Sequence, residues 1–120
     1  MQNFVQQGKQ LNLACTDPAA PVSGDPVRIG QIVGVAVTNE GDGGNATGET
    51  TVATQGVFEL SVKGVDGVGN SAVAIGDKLY YVDADTPKLS KKNTGVLFGK
   101  AIGAVNAGAT ATIPVLLIQA

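Results

Sequence analysis

The sequence contains no histidine and no tryptophan, and its single cysteine is Cys15. The absence of histidine excludes the Ser-His-Asp and Cys-His arrangements of nucleophilic enzymes. A lone cysteine cannot form a disulfide within the chain. Because Cys15 follows Leu11 and Leu13 in an alternating apolar run, we predict that it is a small buried side chain and not a nucleophile.

The sequence also lacks a cluster of basic residues and a long apolar run, which argues against nucleic-acid and membrane partners. The eight basic residues are scattered through a chain of net charge −2, whereas binding to a phosphate backbone needs clustered Lys and Arg. No apolar run reaches the roughly 18–20 residues of a membrane helix, and the first residues do not follow the pattern of a secretory signal. We therefore predict no nucleic-acid partner, no membrane partner, and synthesis in a cytoplasm.

The sequence also offers little for a metal or a cofactor. Without histidine, a metal site would need carboxylates alone, and the alternating Asp83 and Asp85 lack the glutamate that closes an EF-hand loop. The segment from Gly95 to Ala101 has the wrong glycine spacing for a phosphate-binding loop and lacks its Ser or Thr. We predict no catalytic residue, no cofactor and no metal, with a solvated turn at the two aspartates.

What the chain does contain is glycine. Seventeen glycines and five prolines in 120 residues predict many turns and few long helices. Strand-like segments separated by turns recur every 8–12 residues or so, as in small sandwiches and barrels. We predict an all-β fold, a small barrel or sandwich of short antiparallel strands with long glycine-rich loops, in which residues 1–9 form an N-terminal arm and residues 10–120 a single domain.

The segment Thr50–Val62 has the clearest strand pattern. Its even-numbered positions are largely apolar and its odd-numbered positions largely polar, which indicates a strand with one buried face. Gly56 interrupts it, and a glycine inside a strand is typical of a bulge or a tight bend. We predict one bent central strand with Phe58 as its main core side chain.

Two other segments make specific predictions. Gln31–Thr38 is apolar at nearly every position, which favours a strand buried on both faces. Pro114 lies within the last strand-like segment, Ala109–Ile118. Because proline cannot donate a backbone hydrogen bond, it favours an edge position or a bulge there.

Two parts of the chain are similar to each other. Gly24-Asp25-Pro26-Val27 followed by Gly34–Val37 resembles Gly76-Asp77-Lys78-Leu79 followed by Gly99–Ile102, with about 13 more residues in the second copy. The shared pattern is a turn, a strand, a connection and a strand of small residues. Matches this short are compatible both with an internal duplication and with chance.

Taken in order, segments along nearly the whole chain resemble the small phage capsid cement, or decoration, proteins. The segments are Asn3-Phe4-Val5-Gln6-x-Gly8 before a Leu-x-Leu strand, Ser23–Val27, Gly34–Thr38, Ala53–Leu60, Gly76–Tyr81, and Gly99–Ile102 before a final hairpin. Members of that family are sometimes labelled recombinase-like, but the missing phosphate loop and histidines argue against that activity here.

The resemblance implies a barrel-like structural protein on the outer surface of an icosahedral head, made in the cytoplasm of the host bacterium. It implies that the protein, as homotrimers at threefold positions, clamps neighbouring major capsid subunits after the shell expands. We predict that the arm contacts the capsid, and that the exposed strand faces and the loop at residues 39–48 contact neighbouring copies. The arm residues are Asn3, Phe4, Val5 and Gln6, and the loop residues are Asn39, Glu40, Asp42 and Asn45.

Two alternatives stay open. One is a binding module of a head fibre or a tail, and the other is an enzyme acting on DNA. The apolar pair Phe4 and Val5 is likewise compatible with an arm that packs on its own sheet.

Overall fold

The computed structural model describes residues 10–15, 17–18, 21–41 and 48–118. Nine strands and no helix occur in these ranges. The strands are β1 (Gln10–Leu13), β2 (Pro26–Ile29), β3 (Ile32–Ala36), β4 (Thr50–Ala53), β5 (Val57–Lys63), β6 (Lys78–Tyr81), β7 (Leu89–Ser90), β8 (Val96–Ala101) and β9 (Thr110–Leu117).

The strands form two sheets. The first is a four-stranded sheet in the order β1-β4-β3-β2, and the second is a closed barrel in the order β5-β7-β6-β8-β9. All pairs are antiparallel except β5 with β7, which is parallel. The predicted all-β fold with a small barrel is confirmed.

The segment Thr50–Val62 is two strands and not one. β4 belongs to the first sheet and β5 to the barrel, and the chain turns between them at Gly56, whose φ of 123° is one that residues with a side chain rarely adopt. The predicted alternation is correct, since the even-numbered positions apart from Gly56 and Phe58 are buried. Phe58 is only partly buried, so its predicted role as the main core side chain was wrong.

The largest fully buried side chains are instead Tyr81 and Phe98. Their rings stack with centroids 6.3 Å apart. Phe98 is supplied by β8, in which the pairing with β6 shifts by one residue. A bulge of this kind cannot be recognised from the alternation of apolar and polar residues. The alternation therefore indicated Phe58 as the core aromatic and did not indicate Phe98.

β3 is buried on both faces, as predicted. Val33 and Val35 belong to the core of the barrel, whereas Ala36 on the opposite face packs with Val27 and Val52 in a smaller core. β3 therefore joins the two sheets. Its residues separate the two cores, and this accounts for its uninterrupted apolar sequence.

The two sheets repeat one pairing scheme. The order β1-β4-β3-β2 corresponds to β5-β9-β8-β6, strand by strand. The register is also the same, because Gln10 pairs with Ala53 in the first sheet as Val57 pairs with Leu116 in the barrel. The similarity between the two parts of the sequence thus reflects two structural repeats. We call strands β1–β4 the first repeat and β5–β9 the second.

The Gly-Asp turns that open β2 and β6 show the correspondence in detail. Gly24 and Gly76 have φ angles of 95° and 94°. The backbone N–H of Gly24 donates to Ala36 O at 2.7 Å, and that of Gly76 donates to Ala101 O at 2.8 Å. Each turn is also closed by its aspartate, whose Oδ2 accepts a hydrogen bond from the backbone three residues earlier, at 3.0 Å and 2.8 Å.

The second repeat is longer than the first by the predicted amount. Gly76 lies 52 positions after Gly24, whereas Ala101 lies 65 positions after Ala36, a difference of 13. One of these residues is the bulge in β8. The others lie in the connection at 82–95, which carries β7 and closes the barrel; the corresponding connection in the first repeat is Gly30-Gln31.

Pro114 lies in a strand that pairs on both sides, which is neither the edge strand nor the bulge that was predicted. The pairing of β8 with β9 ends at Ala101 opposite Val115. One residue further, the N–H of Ile102 donates to Pro114 O at 2.9 Å, and proline has no N–H to return a bond. Pro114 therefore lies just beyond the end of β8, where the absence of an N–H group interrupts no strand pairing.

Candidate functional site

The predicted capsid-contact residues Asn3, Phe4, Val5 and Gln6 lie outside the described residues. Of the predicted subunit-contact residues, Asn39 and Glu40 are described, and Asp42 and Asn45 are not. Their roles stay predictions. The structure does show how the base of the loop is built.

Asn39 and Glu40 hold the base of this loop by hydrogen bonds. Asn39 Oδ1 accepts the backbone N–H of Ser23 at 2.9 Å, and Glu40 Oε1 accepts the backbone N–H of Gly48 at 2.6 Å. The N–H of Gly41 also donates to Glu49 O at 2.8 Å. Asn39 is exposed and Glu40 half-buried, so this base is a fixed platform with an amide and a carboxylate at its surface.

A second polar group links the two repeats. Arg28 of β2 donates from Nε and Nη2 to both carboxylate oxygens of Asp83, at 2.9 Å and 2.7 Å. This bidentate geometry is the strong form of an Arg–carboxylate pair. The hydrogen bond from Arg28 lowers the pKa of Asp83, and both oxygens of this carboxylate are occupied by an ion pair.

Asp17, Tyr81 and Lys88 complete this link. Tyr81 Oη donates to Asp17 Oδ2 at 2.5 Å, and Lys88 Nζ lies 2.9 Å from the same oxygen. Burial, followed by the hydrogen bond to Asp17, raises the pKa of the Tyr81 phenol well above its usual range. The Tyr81 phenol is therefore neutral, and its hydrogen bond to the Asp17 carboxylate joins the second repeat to the first.

The other candidate reactive groups are also accounted for by packing. Lys92 Nζ pairs with Asp85 at 2.8 Å. Cys15 is half-buried against the small core of the first repeat, and burial raises the pKa of its thiol. A raised pKa disfavours the thiolate that nucleophilic attack requires. Cys15 was predicted to be a buried side chain, and it is less buried than predicted although it packs against this core.

One pocket lies beside the barrel, with a volume of about 110 Å³. It is lined by Lys63, Val65, Asp85, Thr86, Pro87, Ser90 and Lys92. Ligand sites usually enclose about 300–1,000 Å³ and are mostly apolar, whereas this pocket is small and polar. Within the ranges that the structure describes, no group of three or more His, Cys, Asp or Glu side chains could hold a metal ion.

The described part of the chain contains no helix long and apolar enough to cross a membrane.

The turn between β5 and β6 presents an apolar tip. The carboxylate of Asp66 accepts the backbone N–H groups of Val68 and Gly69 at 2.8 Å and 3.0 Å, and these bonds lower the pKa of Asp66. Val65 and Asn70 form a bridge at the base of the turn. These bonds fix the turn, and Val68 at its tip is fully exposed.

A larger exposed surface lies on the outside of the barrel. Val57, Ile102 and Leu116 are among the exposed large apolar side chains, and they occupy neighbouring positions on β5, β9 and the end of β8. We call this surface, with the exposed Lys78 and Lys100 beside it, the open barrel face. The sequence analysis favoured exposed strand faces in general for contacts between copies but did not identify these residues, although Val57 is a large apolar residue among the polar, odd-numbered positions of Thr50–Val62.

The described surface therefore offers fixed turns and exposed apolar faces. A family model described as "phage cement protein" matches residues 5–117. The chain belongs to the phage cement protein family. No curated protein and no solved structure matches it. Membership implies a structural role at the phage capsid, and the cement protein's fixed turns and exposed faces are features that such a role can use.

Proposed function

We propose that this cement protein is a non-enzymatic virion protein that binds the outer surface of the phage capsid and stabilises the expanded head by clamping neighbouring major capsid subunits. The observation that carries the proposal is the family match, which extends over both repeats. A clamp needs a stiff body between its contact points, and the Arg28–Asp83 and Tyr81–Asp17 bonds join the two repeats.

The protein acts as a homotrimer at threefold positions of the shell. Three copies that each make modest contacts bind jointly, because the second and third contacts form at a high effective concentration. Repetition around a closed shell adds to this effect. The shell thereby gains resistance to internal pressure without a high affinity at any single contact.

The arm supplies the capsid contact through Asn3, Phe4, Val5 and Gln6. An extended segment can add a strand to an exposed sheet edge, where its backbone gives affinity and alternate side chains give specificity. The arm directly precedes β1, which pairs with β4 along one side. An arm attached to this strand leaves the body of the protein free to contact other copies.

Deletion of residues 1–7 tests this placement. We expect the shortened protein to fold and associate normally but to leave expanded heads largely undecorated, as measured by its copy number per major capsid protein on gels of purified particles. The matched control is Val68→Ser, which alters an exposed apolar residue on the turn between β5 and β6. Full occupancy by the shortened protein would refute the capsid role of the arm.

Copy number also separates this function from a fibre or tail module. A cement protein is present at every equivalent capsid site, whereas a fibre or tail component occurs in a few copies per particle. Heads that lack the protein should break at a lower temperature or after a milder osmotic shock. Equal toughness with and without the protein would contradict the proposed stabilisation.

A further inference from the structure

The two repeats have corresponding outer faces, formed by residues at equivalent positions. The two faces differ in how far they are exposed. In the first repeat, one row across the sheet is Pro26, Val35, Ala53 and Gln10. In the second repeat, the corresponding row is Lys78, Lys100, Leu116 and Val57. The centre of the first row is covered, since Val35 is 3% and Ala53 is 6% exposed.

The cover of Val35 is the second repeat. Val35 and the nearby Val33 on β3 pack into the core of the barrel, so this part of the outer face of the first repeat lies against the second repeat of the same chain. This repeat-on-repeat contact buries small and branched apolar residues, as expected for a permanent contact.

The second row has no such cover in the described structure. Leu116 is 40% and Val57 is 54% exposed, and Ile102 beside them is 40% exposed. Lys78 and Lys100 lie at the other side of the row and are exposed. An apolar surface with a charged rim is typical of a protein contact site.

The charge of the chain indicates the occupant. Residues 1–56 carry two basic and five acidic side chains, a net charge of −3, whereas residues 57–120 carry six basic and five acidic side chains, a net charge of +1. The lysines beside the open barrel face are therefore complementary to the first repeat. The half-buried Glu40 and Glu49 both belong to the base of the loop at residues 39–48, where the Glu40 carboxylate accepts the N–H of Gly48 and the backbone carbonyl of Glu49 accepts that of Gly41.

We propose that the open barrel face binds the acidic first repeat of a second copy of this chain, so that copies associate head to tail. Within one chain, the first repeat packs its outer face against the second repeat. The proposed contact likewise joins a first repeat to a second repeat, but the two belong to different copies. This inference rests on the proposed trimer and names its interface, since a head-to-tail contact is heterologous and closes into a ring when the rotation permits.

The test is the sedimentation of the full-length protein over a range of concentrations. We expect the wild-type protein to associate, and Leu116→Lys to raise the dissociation constant by about 100-fold or more, because it replaces an apolar side chain at the centre of the contact by a charged one that must be desolvated. The matched control, Val68→Lys, makes the same kind of change on the turn between β5 and β6 and should associate like the wild type. Far-ultraviolet circular dichroism verifies that each variant is folded.

A charge reversal keeps the test decisive if Leu116→Lys does not fold. Lys100→Glu changes an exposed side chain and should weaken association about 10-fold, with the difference shrinking at high salt. Lys63→Glu, elsewhere on the barrel, should have little effect. A wild-type protein that stays monomeric at every concentration, or folded Leu116→Lys and Lys100→Glu variants that associate like the wild type, would overturn the inference.

Binding to heads is measured separately. If wild-type copies associate through the open barrel face but do not decorate heads, the interface stands and the proposed function fails. If the wild type decorates heads and Leu116→Lys does so with full occupancy and unchanged affinity, the proposed function stands and the interface is wrong.

Discussion

In the first repeat, the described residues show an isolated bridge between Asp17 and Arg28 at the free side of β2, whereas the second repeat is closed into a barrel through β7, whose Ser90 pairs with Tyr80. These bridges occupy corresponding places, because Tyr80 lies 52 positions after Arg28, as Gly76 does after Gly24. The additional residues of the second repeat bring Leu89 on β7 and Phe98 at the bulge, both fully buried.

The two cores differ accordingly. Among the described residues, the buried core within the first repeat contains Val27, Ala36 and Val52, whereas the barrel core includes the largest buried side chains of the described structure. Buried apolar area is the main favourable term in folding. The same pairing scheme thus occurs in a repeat with a small buried core and in one with a large buried core. The first repeat gains further burial by packing Val33 and Val35 against the second.

The largest expected effect tests whether the barrel core contributes more to stability than the small core. Phe98→Ala should lower the free energy of unfolding by about 3–5 kcal/mol, because it opens a cavity in the main core. Val52→Ala, in the small core, should cost about 1–3 kcal/mol, since it removes less volume. Urea unfolding followed by circular dichroism measures both. Equal losses would mean that the two cores contribute equally, contrary to the comparison.

A smaller effect is expected at two corresponding glycines. A Cβ at Gly99 would overlap the carbonyl oxygen of Leu116, and a Cβ at Gly34 would overlap the Val52 side chain and lie 2.5 Å from Ala53 O. We expect each alanine substitution to cost about 1–3 kcal/mol. Gly99→Ala should cost more, because a closed barrel cannot let one strand move without disturbing its other pairs.

The control for these glycines is Gly67→Ala, since a Cβ there would meet only Asn93 Oδ1 at an ordinary 3.7 Å. It should change the free energy of unfolding by less than about 0.5 kcal/mol. If Gly34→Ala proved the more damaging of the two substitutions in urea unfolding, the first sheet would be the more rigid repeat.

The smallest effect concerns the bond between the repeats. Tyr81→Phe removes the hydroxyl that donates to Asp17 Oδ2 and O, and we expect a loss of about 1–2 kcal/mol at neutral pH. Because the Arg28–Asp83 pair is kept, the two repeats should stay joined. An unchanged free energy of unfolding would show that the ion pairs alone hold this junction.

The same bond predicts a dependence on pH. The folded protein raises the pKa of Tyr81 above the unfolded value of about 10. The Tyr81 contribution is therefore complete below about pH 10 and is lost as the pH rises above it, where the unfolded chain releases a proton that the folded chain retains. The difference in free energy of unfolding between the wild type and Tyr81→Phe should shrink there. A constant difference up to pH 11 or so would contradict the raised pKa.

Local chemistry made part of this fold predictable. The Gly-Asp turns at Gly24 and Gly76 could be identified because a positive φ and a carboxylate that accepts a backbone N–H leave a short sequence signal. The alternation in Thr50–Val62 and the continuous apolar run of β3 predicted their buried faces. The residues assigned to contacts were predictable only through resemblance to a family, since contacts with absent partners leave no signal of burial within the chain.

Other features depended on residues far apart in the sequence. Arg28 and Asp83 are 55 positions apart, and neither has a local pattern that indicates the other. Phe98 became the main core aromatic through a shift in pairing between β6 and β8. The open barrel face could not be predicted, because alternation shows that Leu116 has a face opposite Val115 but not whether another part of the chain covers that face.

The sequence by itself determined that the chain forms short strands between glycine turns, which side of each clear strand is apolar, and that histidine-dependent chemistry is excluded. Only the tertiary structure decided that the strand pattern of Thr50–Val62 divides between two sheets, and that one of two matching outer faces is buried while the other is exposed. The physical reason is that a residue pattern records the preference of each side chain for burial, whereas the partner that buries it is selected by the packing of the whole chain.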